Sequence, residues 1–207
     1  PQKREQGRVC SYCCAHEADE LSAFLLLIES DNHYRVDEVM KKSASEVTER
    51  VTFVADNYVE RGPFIRKYLK FGPGVGSAYA VIHQAQEQGT YLSHLPRIYA
   101  VYQLKDELVV VMEYLQGETL QDAVLRCGPS FQLAQEAFPQ VCEAVRELHE
   151  CFNPPLIHRD LKPANIVLSN GRVFLIDFGI ARVYRSGSVS DTSHLGTRAY
   201  APPEQYG

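Results

Sequence analysis

No apolar run in the sequence is long enough to cross a bilayer. The longest, Phe24-Leu25-Leu26-Leu27-Ile28, falls far short of the ~20 residues a spanning helix needs. The basic n-region and small-residue cleavage site of a secretory leader are also missing. No long basic block occurs, and a net charge of -5 gives a general nucleic-acid binder no electrostatic footing. These absences lead to the expectation of a cytoplasmic chain with no nucleic-acid partner and no membrane segment of its own. The cytosolic part of a larger, membrane-attached protein is the variant of this expectation. Oligomeric state is not written in the sequence. What is present is ordinary for a globular protein: 207 residues, 45% hydrophobic and 23% charged, enough for one domain or two small lobes around a shared site. The first residue is Pro1, which reads as a processed or partial sequence.

Cysteine use points the same way. Cys10, Cys13 and Cys14 with His16 make a C-x2-C-C-x-H cluster. Structural zinc sites draw their ligands from two separated segments, whereas these crowd into seven residues. Loose cytosolic thiols are therefore favoured over a zinc site. Cys127, Cys142 and Cys151 stand among apolar neighbours and read as small core residues.

Residues 1–18 have no hydrophobic period, and Asp19–Glu29 predicts a short helix. From Tyr34 the texture alternates. Tyr34–Met40, Val47–Val54, Phe64–Leu69, Arg97–Tyr102 and Leu108–Tyr114 predict five strands, and Ser77–Gln88 a helix between the third and fourth. After Gln116-Gly117 the period becomes helical. Phe138, Val141, Cys142, Val145 and Leu148 predict the buried stripe of a helix ending near His149. Ile166–Leu168 and Val173–Ile176 flank Ser169-Asn170-Gly171-Arg172, a strong hairpin signal. Residues 182–194 read as an exposed loop.

The chemistry concentrates in Ile157-His158-Arg159-Asp160-Leu161-Lys162-Pro163-Ala164-Asn165, followed by Asp177-Phe178-Gly179. Phosphoryl transfer from a nucleotide needs carboxylate and amide oxygens to hold metal ions, and a base to orient the attacking hydroxyl. An Asp and an Asn five residues apart on a loop entering a tight hairpin, with a second Asp just past it, bring three such groups together. Any one of them alone would more often be a turn-capping residue.

Taken together these residues match H-R-D-L-K-x-x-N and D-F-G, and the sequence resembles the eukaryotic-type serine/threonine protein kinases, bacterial members included. Leu195-Gly196-Thr197-Arg198-Ala199-Tyr200-Ala201-Pro202-Pro203-Glu204 is similar to the family's G-T-x-x-Y-x-A-P-E region. The resemblance implies an α+β, two-lobed fold with a β-rich N lobe carrying one main helix and a helical C lobe. The N lobe would span 34–112, the hinge 113–117 and the C lobe 118–207, after an N-terminal extension at 1–33. It further implies ATP and Mg2+, a protein Ser/Thr hydroxyl as substrate, Asp160 as catalytic base and Lys162 on the γ-phosphate. Asn165 and Asp177 would hold the metal. Met112, Glu113 and Leu115 would border the adenine. Lys67 would reach the α- and β-phosphates, with Lys70 as the competing lysine, and Glu87 would be its helix partner. Arg159 would pair with a phosphorylated activation loop, for which Thr192 and Ser193 are the candidates.

Two departures stand out. The glycine-rich loop of the family should fall at Met40-Lys41-Lys42-Ser43-Ala44-Ser45-Glu46-Val47, which has no glycine. Glycines there let backbone N–H groups approach phosphates, so weaker nucleotide binding is expected, with Lys41 or Lys42 adding positive charge. The sequence also stops just past the A-P-P-E motif, which reads as a C lobe cut short, unstable and inactive by itself. The alternative to an active kinase is a pseudokinase used as a nucleotide-binding or scaffolding module. A small-molecule kinase would lack the L-K-P and A-P-E contexts.

Overall fold

The computed structural model describes residues 31–55, 58–72, 74–184 and 196–205. The N-terminal cysteine cluster, the helix expected at Asp19–Glu29, and Thr192 and Ser193 lie outside the described residues.

The alternating segments form a five-stranded antiparallel sheet. Its strands are β1 (Tyr34–Lys42), β2 (Glu46–Val54), β3 (Glu60–Lys70), β4 (Ile98–Leu104) and β5 (Glu107–Glu113), in the order β1-β2-β3-β5-β4. The central strands carry the apolar runs. Val109, Val110 and Val111 on β5 are fully buried, as expected of a strand covered on both faces. The edge strand β1 is exposed along nearly its whole length. Its charges (Arg35, Asp37, Glu38, Lys41 and Lys42) make that edge a poor template for a further strand.

Helix α1 (Ser77–Glu87) packs on this sheet through Ala78, Tyr79, Ile82 and Gln86, all buried. Its start is pinned at Gly76, whose φ of 69° suits glycine and whose N–H donates to the Gly179 carbonyl at 2.9 Å. A Cβ there would meet Leu108 Cδ2 at 2.5 Å. The first turn of α1 is thereby held beside Asp177-Phe178-Gly179.

Below the sheet lie α2 (Leu120–Cys127), α3 (Phe131–Glu150), a three-stranded sheet of β6 (Glu118–Thr119), β8 (Ile166–Ser169) and β9 (Arg172–Leu175), and a two-stranded sheet of β7 (Leu156–Ile157) and β10 (Arg182–Val183). The arrangement is an α+β fold with a β-rich N lobe carrying one helix and a partly helical C lobe. One apolar core runs through both parts, from Leu69 and Ile82 to Leu148, Leu175 and Phe178. Asn170 and Gly171 both have positive φ, 50° and 73°, the requirement of the tight turn that their sequence predicts. Gly117 is demanded by close approach: a Cβ would lie 2.0 Å from the Leu168 carbonyl oxygen.

Three expectations need correction. The buried face of α3 is Ala137, Ala144 and Leu148, with Val141 and Val145 partly buried. Phe138 is exposed, as is Cys142. The stripe is rotated by about one residue because small alanines let the helix approach the β8–β9 hairpin. Gln140 fixes that rotation, accepting from Val173 N–H at 3.1 Å and donating to the Gly171 carbonyl at 3.2 Å. Cys127 and Cys151 are exposed too, since they sit at helix ends rather than on packed faces. Arg182 and Val183, expected in a loop, form β10 against Ile157 and Leu156.

Candidate active site

The loop between β7 and β8 builds the centre of the site. His158 is buried, its Nε2 lies 3.0 Å from the Ile176 carbonyl, and its Nδ1 accepts from the Asp160 N–H at 3.3 Å. That pair of bonds specifies a neutral ring with the proton on Nε2, and burial holds its pKa below the usual histidine value. The ring also meets Phe178 edge-on, centroids 5.2 Å apart. His158 thus ties the loop to the Asp177 segment. Arg159 and Asp177 both hold positive φ, 70° and 68°, conformations that cost non-glycine residues about 1–3 kcal/mol each.

Asp160 is gripped from three directions. Oδ2 accepts from Lys162 Nζ at 2.6 Å and Asn165 Nδ2 at 3.0 Å; Oδ1 accepts from the Thr197 N–H at 3.0 Å and its hydroxyl at 2.7 Å. Burial pushes this carboxyl up, but the Lys162 ammonium and Thr197 hydroxyl outweigh it and hold Asp160 below the ordinary aspartate value. Lys162 also donates to Thr197 Oγ1 at 2.7 Å. Asn165 is buried and donates a second bond to the Asp160 carbonyl at 2.9 Å.

The upper wall comes from β1–β3 and α1. Lys67, 6% exposed, places Nζ 2.8 Å from Asp177 Oδ1, 2.9 Å from Glu46 Oε1 and 3.4 Å from the Tyr79 hydroxyl. Burial works against its charge, yet Tyr79, Asp177 and Glu46 more than offset this and raise its pKa above the usual lysine value. Lys67 therefore stays an ammonium. Asp177 is held below the ordinary aspartate value although burial opposes it, Lys67 being the main cause. Tyr79 is fully buried, with its phenol pushed up to about 12 by burial, and its oxygen accepts from the Phe178 N–H at 3.1 Å.

Glu87 is not part of this constellation. It is exposed at the last turn of α1 and pairs with Arg97. Because Gly76 anchors the first turn at the site, Tyr79 meets Lys67, and Glu87, one residue beyond buried Gln86, turns to solvent. Met112 is buried in the core shared with α1. Glu113 pairs backbone N–H to the Arg97 carbonyl at 2.8 Å and accepts from the Arg97 N–H through Oε2 at 3.1 Å. Leu115 lies in the connection that follows β5. Thr197, Glu46 and Tyr79 are site residues that the sequence reading did not single out. Thr197 carried a signal, since it lies within the G-T-x-x-Y motif. Glu46 and Tyr79 carried none.

The glycine-free segment is a tight turn closed on itself. The Ser43 hydroxyl accepts from the N–H groups of Ser45 (3.3 Å) and Glu46 (3.0 Å), and the Ser43 N–H donates to the Glu46 carbonyl at 2.8 Å. The Ser43, Ser45 and Glu46 N–H groups, which a glycine loop could offer to phosphate, are here occupied. Lys41 supplies charge instead, 3.8 Å from Asp177 Oδ2.

The fold and the Asp160–Asn165–Asp177 geometry define a protein kinase domain. The family model described as protein kinase domain matches residues 83–206, more than half of the sequence, and the chain belongs to this family. The matched span contains Asp160, Lys162, Asn165 and Asp177, and begins after Lys67. The chain is 37% identical over 139 residues to the serine/threonine-protein kinase PknB of Mycobacterium leprae, covering 62% of this chain and 22% of that protein. Against PknB of Mycobacterium tuberculosis the figure is 38% over 141 residues, with the same coverage of each chain. It is 36% identical over 112 residues to the carbon catabolite-derepressing protein kinase of Saccharomyces cerevisiae, covering 54% of this chain and 17% of that one. The chain thus spans about a fifth of the length of the relatives it matches.

Proposed function

We propose that this domain transfers the γ-phosphoryl group of ATP to a serine or threonine hydroxyl of a protein substrate. The observation that carries the reading is Asp160, held anionic by Lys162, Asn165 and Thr197 in the same site as the Lys67–Asp177 pair. Asp160 orients the substrate hydroxyl and accepts its proton as the hydroxyl oxygen bonds to phosphorus and the bond to the β-phosphate oxygen breaks, releasing ADP. Lys162, on the same carboxylate, is the cation for the transferred group. Lys67 and Lys41 serve the remaining phosphates.

The residues suit Mg2+, which takes one or two carboxylates and completes its shell with phosphate oxygens and water. Asp177 contributes a carboxylate beside the phosphate-facing lysines. Asn165 spends its amide N–H bonds on Asp160, which leaves its side-chain carbonyl as the second oxygen donor. The ion would neutralise charge on the phosphates. Met112, Glu113 and the connection through Leu115 border the adenine in this reading, and the lobes meet at 113–117. No helix among the described residues is long and apolar enough to cross a membrane, and the reading requires none.

The test is phosphate transfer from γ-labelled ATP to a generic protein substrate with Mg2+, for the full chain and its Asp160→Asn variant. Transfer by the parent and its loss in the variant supports the reading. Mg2+–ATP binding with no transfer by the parent would leave a nucleotide-binding module and overturn it.

A further inference from the structure

A buried ammonium needs a fixed anion, because an unpaired charge in the interior costs several kcal/mol. Lys67 has Asp177, but in the reading above that carboxylate also serves the metal ion. A second anchor is needed, and α1 does not provide it. Glu87 is the one acidic residue in Ser77–Glu87, and it faces Arg97.

The second carboxylate comes from the strand side. Glu46 Oε1 lies 2.9 Å from Lys67 Nζ and accepts from the Thr48 hydroxyl at 2.9 Å, while Oε2 takes Lys41 Nζ at 2.6 Å. Sheet register builds this placement. Thr48 stands opposite Lys67 across the β2–β3 ladder, and Glu46, two residues earlier, shares its face. The Glu46 backbone is fixed by the Ser43 turn on one side, and Lys70 N–H donates to the preceding Ser45 carbonyl at 3.0 Å on the other. Glu46 is half-buried as a residue, and its side chain is only 11% exposed. It is held below the usual glutamate value: burial opposes this and Lys67 outweighs it, with Lys41 adding to the effect.

We propose that Glu46 is the positioning residue for Lys67, a carboxylate on the second strand that holds the ammonium toward the phosphates in place of a helix glutamate. Tyr79 completes the arrangement, since its oxygen bridges Lys67 and the Phe178 N–H and so links α1 to the pair. The proposal rests on the kinase reading of the site. It makes the turn at Ser43 part of the lysine's support rather than a cover for phosphates.

The experiment compares full-length parent, Glu46→Gln, Glu46→Asp and Glu87→Gln in two readouts. The first is kcat and KM for ATP with Mg2+. The second is labelling of Lys67 by a small amine-reactive reagent without nucleotide, followed by mass spectrometry. Loss of Glu46 should lower kcat by about 10²-fold, the scale of a misplaced reacting group, and speed Lys67 labelling severalfold. Glu46→Asp should recover part of both, and Glu87→Gln should match the parent. Thermal unfolding of each variant separates loss of position from loss of fold, and Glu46→Asp carries the test if Glu46→Gln does not fold. Faster labelling in Glu46→Gln with an inactive parent would uphold the anchor while removing the kinase reading. Unchanged labelling and kcat would overturn the proposal, as would tighter ATP binding, which would make Glu46 an anion in the phosphates' way.

Discussion

The two walls of the site hold their charges by different means. On the lower wall, most contacts are short in sequence: His158, Asp160, Lys162 and Asn165 bond to one another within eight residues, with Thr197 and the Ile176 carbonyl arriving from afar. On the upper wall, Lys67 depends on Glu46 from a different strand, Tyr79 from a helix and Asp177 from 110 residues away. A loop that closes on itself leaves few ways to rearrange. A lysine held by three separate elements responds to shifts in any of them. The family resemblance is strong on the lower wall, while the upper wall lacks both the glycine loop and a helix glutamate at the lysine. In the proposed reading, a kinase site can thus keep its acid–base centre fixed while its phosphate-binding side is built from other residues.

The largest effect should come from the lower wall. Asp160→Asn removes the proposed proton acceptor while keeping a hydrogen-bonding side chain, and phosphotransfer should fall by about 10²–10⁴-fold with thermal unfolding little changed. An Asp160→Asn variant with near-parent turnover would break the comparison at its stronger end.

On the upper wall, Tyr79→Phe keeps the ring against Phe178 but leaves the buried Phe178 N–H without its acceptor. A cost of about 1–3 kcal/mol is expected, measurable by chemical denaturation, together with reduced turnover. Unaltered stability would mean that α1 is not coupled to the Asp177 segment through this hydroxyl.

Ser43→Gly tests the turn more gently. It frees the Ser45 and Glu46 N–H groups, and calorimetry should show ATP affinity changed by about one net hydrogen bond, ~1 kcal/mol. Tighter binding means that the freed donors reach phosphate. Weaker binding means that the turn's main task is to seat Glu46.

The smallest effect is expected at Glu87. Its pairing with Arg97 is solvent-exposed, and such pairs contribute about 0–1 kcal/mol. Glu87→Gln should leave turnover and ATP affinity at parent values. A marked loss would restore the helix glutamate and erase the difference between the walls.

Much of this was legible in the residues. The five strands and α1 follow from alternation and period, with boundaries displaced by a few residues at most, and Asn170-Gly171 announced its own turn. The α3 stripe is not legible in the same way, because Phe138 outweighs Ala137 in any count of apolar bulk, whereas close packing on the hairpin selects the smaller residue. Glu87 stands out in the sequence as the acidic residue of α1, but composition says nothing about which way a helix is rotated.

What the sequence determined by itself was the lower wall and the family. Its chemistry is written in contiguous motifs, where neighbours in sequence are neighbours in space. Only the tertiary structure decided how Lys67 is held. That depends on the register of β2 against β3, on the rotation of α1 fixed at Gly76, and on the return of Asp177 across more than half the chain. Each is set by packing between distant segments, and a buried charge takes whichever partner that packing brings within 3 Å.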